Sequence, residues 1–298
     1  MTLSLVVCSR NRASQLDATL RRISMLKSAG SWELVIVDNG STDETQSVIR
    51  GFRARFTGEL TVCVEPQPGS GNARNRGWTT AKGTIIAFTD DDCYPAEDFL
   101  ISVDRCFEED RRLGFLGGRI LLYDQTDCPV AIQESTTRRE LSPGEFIPAG
   151  LIGTGNLSCR REALESVGGF DGRFGAGTRF VCDDVDILAR ISAQGWYGAF
   201  DPRPVVYHHH RKKTVAEVAR TNQQYDRARG AYYTKCLLTP ALRVTYLRAW
   251  WGQMKRQPLG ITRRELMAGA EFLARAVVHC GPTGRRREGV SSKRTVGW

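Results

Sequence analysis

Over the first ninety residues, short apolar or β-branched runs alternate with stretches of helical periodicity, and few folds absorb that alternation. The runs are Leu3 to Cys8, Glu33 to Asp38, Leu60 to Val64 and Thr84 to Thr89, composed as buried parallel strands are. Between the first two, Leu16, Leu20 and Ile23 recur at helical spacing behind Ser14 and Asp17, which stand at the separation of a capping box. Ser41 and Glu44 repeat that signature before the second helix. The pattern predicts an α/β fold, an open and mostly parallel sheet with helices on its faces. Such sheets bind ligands beyond the strand C-termini. The polar clusters stand at those ends: Ser9 to Arg12, Asp38 to Asp43 and Asp90 to Asp92.

From about residue 96 the pattern loosens. It predicts a helix, a strand over Leu113 to Leu122, a long polar loop from Tyr123 to Gly150, a helix over Asp184 to Ala193 and a short strand, Val205 to Tyr207, within Pro202 to His210. The chain then turns basic and largely helical. From Gly281 it combines Arg285, Arg286 and Arg287 with glycines and serines, which predicts a disordered tail.

At 298 residues the chain can bury a substantial core as one α/β domain with a small appendage. Its nine cysteines form neither a disulfide framework nor zinc-ligand spacing. No apolar run approaches the roughly 20 residues that cross a bilayer, and no basic segment precedes the first apolar stretch, so the expectation is a cytoplasmic protein. The formal net charge of +9 favours anionic partners: nucleotides, nucleic acid or an anionic membrane surface.

Four constellations could carry chemistry. Asp90, Asp91 and Asp92 directly follow a strand. Their mutual repulsion would be relieved by Mg²⁺ or Mn²⁺ bridging to a diphosphate; the plain alternative is a solvated turn. PGSGNARNRG, with Gly69, Gly71, Arg74, Arg76 and Gly77, runs into a helix and could meet a phosphate or a base. It is no dinucleotide fingerprint, because Arg74 replaces the third glycine and the third strand precedes it. Asp183, Asp184 and Asp186 open a helix, where they either stabilise its dipole or supply a general base. His208, His209 and His210 could complete a metal site, or face solvent beside Arg211, Lys212 and Lys213.

In order, VVCSRNR, VDNGSTDET, GSGNARNRG, FTDDDCYP, GNLSCRREALESVGGFD and CDDVDILARISAQGW resemble the motifs of family 2 inverting glycosyltransferases with the GT-A fold, over about residues 1–235. The resemblance implies a metal-dependent, hexosyltransferase-like enzyme that moves a sugar from a UDP- or dTDP-sugar to a hydroxyl acceptor, in polysaccharide or glycolipid biosynthesis. It implies a GT-A catalytic domain over 1–210, with a nucleotide-binding half (1–95) and an acceptor half (96–210). A basic helical extension (211–280) and a tail (281–298) follow. Ser9, Arg12, Asp38, Arg74 and Asp91 would hold the nucleotide. Asp90, Asp92 and His208 would hold Mn²⁺ or Mg²⁺. Asp184 would be the catalytic base, with Asp183 in place of the family's usual glutamate leaving the choice between the two open. Asn39 stands where many members have a second aspartate, which leaves the base preference open as well.

In the extension, Arg220, Tyr225, Arg227, Arg229 and Tyr232 resemble a segment that lines the acceptor side in some members. Leu242, Val244, Leu247, Trp250, Trp251, Met254 and Leu259 are interspersed with Arg243, Arg248, Lys255 and Arg256. That mix suits either an amphipathic helix on the cytoplasmic face of a membrane, near a lipid-linked glycan acceptor, or a helix packed on the domain or a second subunit. Two rival readings remain. A sugar-phosphate nucleotidyltransferase would carry its glycine loop after the first strand, where CSRNRAS has none. A basic module binding membrane or nucleic acid would avoid carboxylates at strand ends, which argues against nucleic acid as a partner.

Overall fold

The computed structural model describes residues 2–279; the tail over 281–298, for which disorder was expected, lies outside them. The alternation read from the sequence is present as β1 (Leu3–Ser9), α1 (Ala13–Ile23), β2 (Trp32–Asp38), α2 (Thr45–Arg53), β3 (Glu59–Val64), α3 (Ser70–Thr80) and β4 (Ile85–Asp90). There follow β5 (Cys93–Pro95), α4 (Phe99–Glu109), β6 (Leu113–Leu122), β7 (Arg139–Leu141), β8 (Leu157–Arg160), α5 (Arg161–Glu165), α6 (Asp183–Ala193) and β9 (Tyr197–His208). The strands form one sheet in the order β3-β2-β1-β4-β8-β6-β9-β5, with β7 paired to β9. β3, β2, β1 and β4 are mutually parallel, and β8 joins antiparallel to both β4 and β6.

Successive strand residues point to opposite faces, so a sheet covered on both sides must be apolar at every position. Leu5 and Val7 pack with Leu16, Leu20 and Ile23 of α1 and Phe52 of α2. Val6, Val35 and Val37 pack on the other face with Trp78 of α3 and Ile187 and Leu188 of α6. Gly77 lets α3 approach closely, because a Cβ there would stand 2.3 Å from Val6 Cγ1.

Both expected capping boxes fail to form. α1 begins before Ser14, whose hydroxyl donates to Gln15, and the Ala13 N–H is taken by Asp43 Oδ2 at 3.2 Å. α2 begins after Glu44, and the Thr45 N–H donates to Asp43 Oδ1 at 3.0 Å. One aspartate from the β2–α2 loop thus caps both helices. Between 123 and 150 the chain is not a free loop: Ile120 and Gln133 exchange backbone hydrogen bonds, and β7 lies along β9. β9 starts earlier than expected, at Tyr197, with a register shift that accommodates Pro202 and Pro204. Proline cannot donate to a ladder, so a pattern reading stops where the strand continues past it.

The extension is α7 (Val215–Leu238), α8 (Pro240–Met254) and α9 (Leu259–His279). A capping box does form at the start of α7, between Thr214 and Glu217. Tyr232, Tyr233, Tyr246, Trp250 and Phe272 share a core with Phe174, Phe180 and Val185, so Tyr232 is a packing residue. Among the described residues no helix is long and apolar enough to cross a membrane.

Trp250 stacks on Tyr233 at 5.3 Å and donates its indole N–H to Glu265, which is fully buried. Trp250→Ala should therefore lower stability by about 3–5 kcal/mol, read as a shift of the urea midpoint.

Candidate functional site

Strand register decides which side chains meet. Cys8 lies opposite Asp90 and Ser9 opposite Asp38 at the C-terminal ends of β1, β4 and β2. The antiparallel pairing of Cys93 with His208 brings the end of β9 alongside Asp92, whose carbonyl accepts from the His209 N–H at 2.9 Å. A cavity of ≈ 860 Å³ opens at this edge, a size suited to a nucleotide-sized ligand. Its lining includes Ser9 and Arg12, Ser70 and Arg74 of α3, Asp90 to Asp92 and His208. Asp183 and Asp184 at the start of α6, residues 129–133, Lys212, and Asn222 and Tyr225 of α7 line it too.

Arg74 organises the centre. The residue is 6% exposed, and its guanidinium pairs with Asp183, reaches Asp90 Oδ1 at 2.7 Å and donates to Thr154 Oγ1 at 2.9 Å. Burial works against its charge, but Asp183 and Asp90 outweigh burial and hold it protonated. Ser70 Oγ also donates to Asp183, at 2.8 Å. Gly175, at φ +109°, makes room, since a Cβ there would lie 2.1 Å from Ser70 Oγ and 2.7 Å from Asp183 Oδ2.

Asp184 is treated differently. It borders the cavity, and among the described residues no cation forms an ion pair with it. Burial, then the neighbouring Asp183 charge, push its carboxyl up to about 7. Two adjacent carboxylates therefore differ: one is neutralised by arginine, the other is poised to exchange a proton near neutral pH.

The acidic triplet is also divided. Asp90 turns to Arg74. Asp91 is buried, accepts from Ser9 Oγ at 2.7 Å and lies 3.1 Å from Arg12; burial pushes it up to about 7 against the pull of that arginine. Asp92 is held well below the usual carboxylate range, because His208 and Arg12 together outweigh its burial. Asp92 Oδ1 stands 3.6 Å from His208 Nε2, and Asp92 Oδ2 2.6 Å from Arg12 Nη2. Among the described residues, Asp92, Cys93 and His208 form a group able to hold a cation. Burial keeps the Cys93 thiol protonated, which leaves a carboxylate and an imidazole, a donor pair that suits Mn²⁺ or Mg²⁺. His208 turns Nε2 toward Asp92 Oδ1 and its buried Nδ1 has no hydrogen-bond partner, so carboxylate and imidazole fit a divalent ion, for which Arg12 would have to give up its contact with Asp92 Oδ2. Asp90 stands apart from that group.

Ser9, Arg12, Arg74, Asp90, Asp91, Asp92, Asp183, Asp184 and His208 thus converge on one cavity. Asp38 does not border it. Its carboxylate accepts from the Ser41 N–H at 2.8 Å and from Gln46 at 3.0 Å, whereas Asn39 borders the cavity and holds the Gly69 N–H at 3.0 Å. Thr154 and Ser70 were not anticipated. Thr154 immediately precedes the GNLSCRREALESVGGFD motif and carries no chemical signature of its own.

The family model described as Glycosyl transferase family 2 matches residues 4–168. Glycosyltransferase AglE of Haloferax volcanii is 27% identical over 171 residues, 56% of this chain and 55% of that protein; the chain spans about half the length of the curated relatives it matches. Among solved structures, the mannosyltransferase PcManGT from Pyrobaculum calidifontis, in complex with GDP-Man and Mn²⁺, superposes with a TM-score of 0.62 at 17% identity, covering 93% of this chain and 79% of that one. S. aureus TarS 1–349, in complex with UDP-GlcNAc, gives 0.62 at 15% identity, covering 92% and 81%.

Asp184 carries a pH signature. Its pKa is raised to about 7 from an ordinary 3.8 in the folded chain alone. Between those values the folded state holds a proton that the unfolded state has released, so stability falls as pH rises, at up to about 1.4 kcal/mol per pH unit. Asp184→Asn should gain stability relative to the parent as pH is raised across that window. Urea unfolding of both proteins at each end would show it, and parallel profiles would mean an unshifted carboxyl.

Proposed function

The chain belongs to glycosyl transferase family 2 and has the GT-A fold, and from that premise we propose that it is an inverting transferase carrying a sugar from a UDP- or dTDP-sugar to a hydroxyl acceptor. The observation that carries this reading is the division of labour across one cavity. The lining of that cavity holds both a base poised near neutrality, Asp184, and a cation-suited pair, Asp92 and His208. Residues 1–210 are read as the catalytic unit and 211–280 as its extension. The acceptor is proposed to be a glycan, lipid-linked or free, within polysaccharide or glycolipid biosynthesis on the cytoplasmic side.

In this mechanism Ser9, Arg12 and Asp91 position the nucleotide at the ends of β1 and β4. Asp38 acts at one remove by fixing the turn through Ser41. Asp92 and His208 would hold Mn²⁺ or Mg²⁺, which would supply positive charge against the leaving nucleoside diphosphate. Asp90, held by Arg74, keeps the triplet oriented. The acceptor hydroxyl attacks the anomeric carbon from the face opposite the leaving group, Asp184 takes its proton, and configuration inverts. Asp183 is the poorer base because its charge is already committed to Arg74.

Asp184→Asn should lower kcat by about 10²- to 10⁴-fold while donor affinity changes by only a few-fold, because the proton transfer belongs to the transition state. Steady-state rates together with donor binding check this, and near-full turnover would remove Asp184 as base.

The donor is tested by thermal shift with UDP, dTDP, GDP and CMP, each with Mn²⁺ or with chelator, on the parent and on Asp92→Ala. A ligand that binds only the native state raises its melting temperature. Stabilisation by UDP or dTDP that needs both the metal and Asp92 is expected. Stabilisation by GDP alone would overturn the pyrimidine assignment, and a flat panel the donor reading itself.

A further inference from the structure

α8 packs one side on α7 and leaves another bare. Leu242, Tyr246 and Trp250 are buried, while Val244, Leu247 and Trp251 recur at helical spacing and are 56%, 49% and 57% exposed. Beyond the turn, Leu259 is 86% exposed, and Leu266 and Met267 on α9 are 50% and 57% exposed. Single exposed apolar residues need no explanation, but six of them on two consecutive helices mark a contact surface.

The charges around these residues have one sign. Arg243, Arg248, Lys255, Arg256 and Arg263 are all exposed, and among the described residues no carboxylate forms an ion pair with any of them. α8 contains no acidic residue. The two acids of α9 are committed inward: Glu265 is fully buried against Trp250 and Arg229, and Glu271 pairs with Arg179 and Arg227. The Lys255 ammonium lies 5.2 Å over the Trp251 ring, so an indole and a cation stand together at the outermost edge.

We infer that the outer face of α8 and the first half of α9 docks on an anionic lipid surface. A second copy of the chain would set five cations against five with no acid between them, which repulsion disfavours. A bilayer surface supplies both kinds of partner at once, lipid phosphate for the long basic side chains and hydrocarbon beneath for the apolar ones. Tryptophan suits the boundary, with an apolar ring and an N–H that remains wet. The inference rests on the surface alone and stands or falls separately from the sugar-transfer reading.

Co-sedimentation of the full chain with vesicles of phosphatidylcholine, alone or with phosphatidylglycerol, tests it. Binding is expected only with the anionic lipid and should weaken with salt. At about 1 kcal/mol per cation near such a surface, Arg248→Gln with Arg263→Gln should lower the partition coefficient roughly 30-fold. Trp251→Ala with Leu259→Ala should lower it about tenfold or more at unchanged charge. Circular dichroism and urea midpoints should match the parent in both variants, because all four side chains are exposed. The inference is overturned if the parent ignores anionic vesicles, or if the apolar pair leaves binding unchanged. A concentration-dependent dimer that the apolar pair dissolves, with no vesicle binding, would assign the face to a second copy instead.

Discussion

The buried guanidinium of Arg74 is the constraint on which the site depends. A charge on a residue held at 6% exposure must be paired, and removing one partner from such a group costs several kcal/mol. Arg74 meets that demand with Asp90 at the end of β4 and Asp183 at the start of α6, and adds a hydrogen bond to Thr154. Three separate parts of the chain are thereby fixed around one side chain of α3. The space it needs is kept by backbone: α3 sits close on the sheet through Gly77, and Gly175 leaves room beside Ser70 and Asp183.

That pairing also sorts the acids. Five aspartates crowd one cavity, and without counter-charges most would be driven toward protonation. Arg74 takes Asp90 and Asp183; Arg12 and His208 take Asp92. Asp184 is left with neither arginine as a partner, and burial raises it to where a carboxyl exchanges protons near neutral pH. The same residue type is thus anchored by an arginine in one place and raised toward neutrality by burial in another, a pattern in which environment sets the behaviour.

The sheet was legible because its signal is local: uninterrupted apolar runs such as Leu34 to Val37, followed by polar clusters, survive without knowledge of any partner. The convergence of Ser9, Asp92, Asp184 and His208 was legible only through the order of motifs, since periodicity says nothing about the register that sets Cys93 opposite His208. What could not be read is non-local in origin. Asp43 caps two helices in place of the boxes at Ser14 and Ser41, and Asp38 sits behind the wall that Asn39 forms. In α8 the sequence shows an apolar helix, yet burial falls on Leu242 and Trp250 and exposure on Leu247 and Trp251. Spacing cannot choose which side meets α7.

The family match covers residues 4–168, and the cavity is walled by two kinds of element. One is the ends of parallel strands, whose register is locked by apolar residues on both faces. The other is α7, whose first half places Asn222 and Tyr225 on the cavity while its second half buries Tyr232 and Tyr233 against α8 and α9. Tyr225 is therefore positioned by a core that lies outside the sheet. A chain built this way can reshape the α7 wall of the cavity by changing how three helices pack, and leave the strand ends untouched.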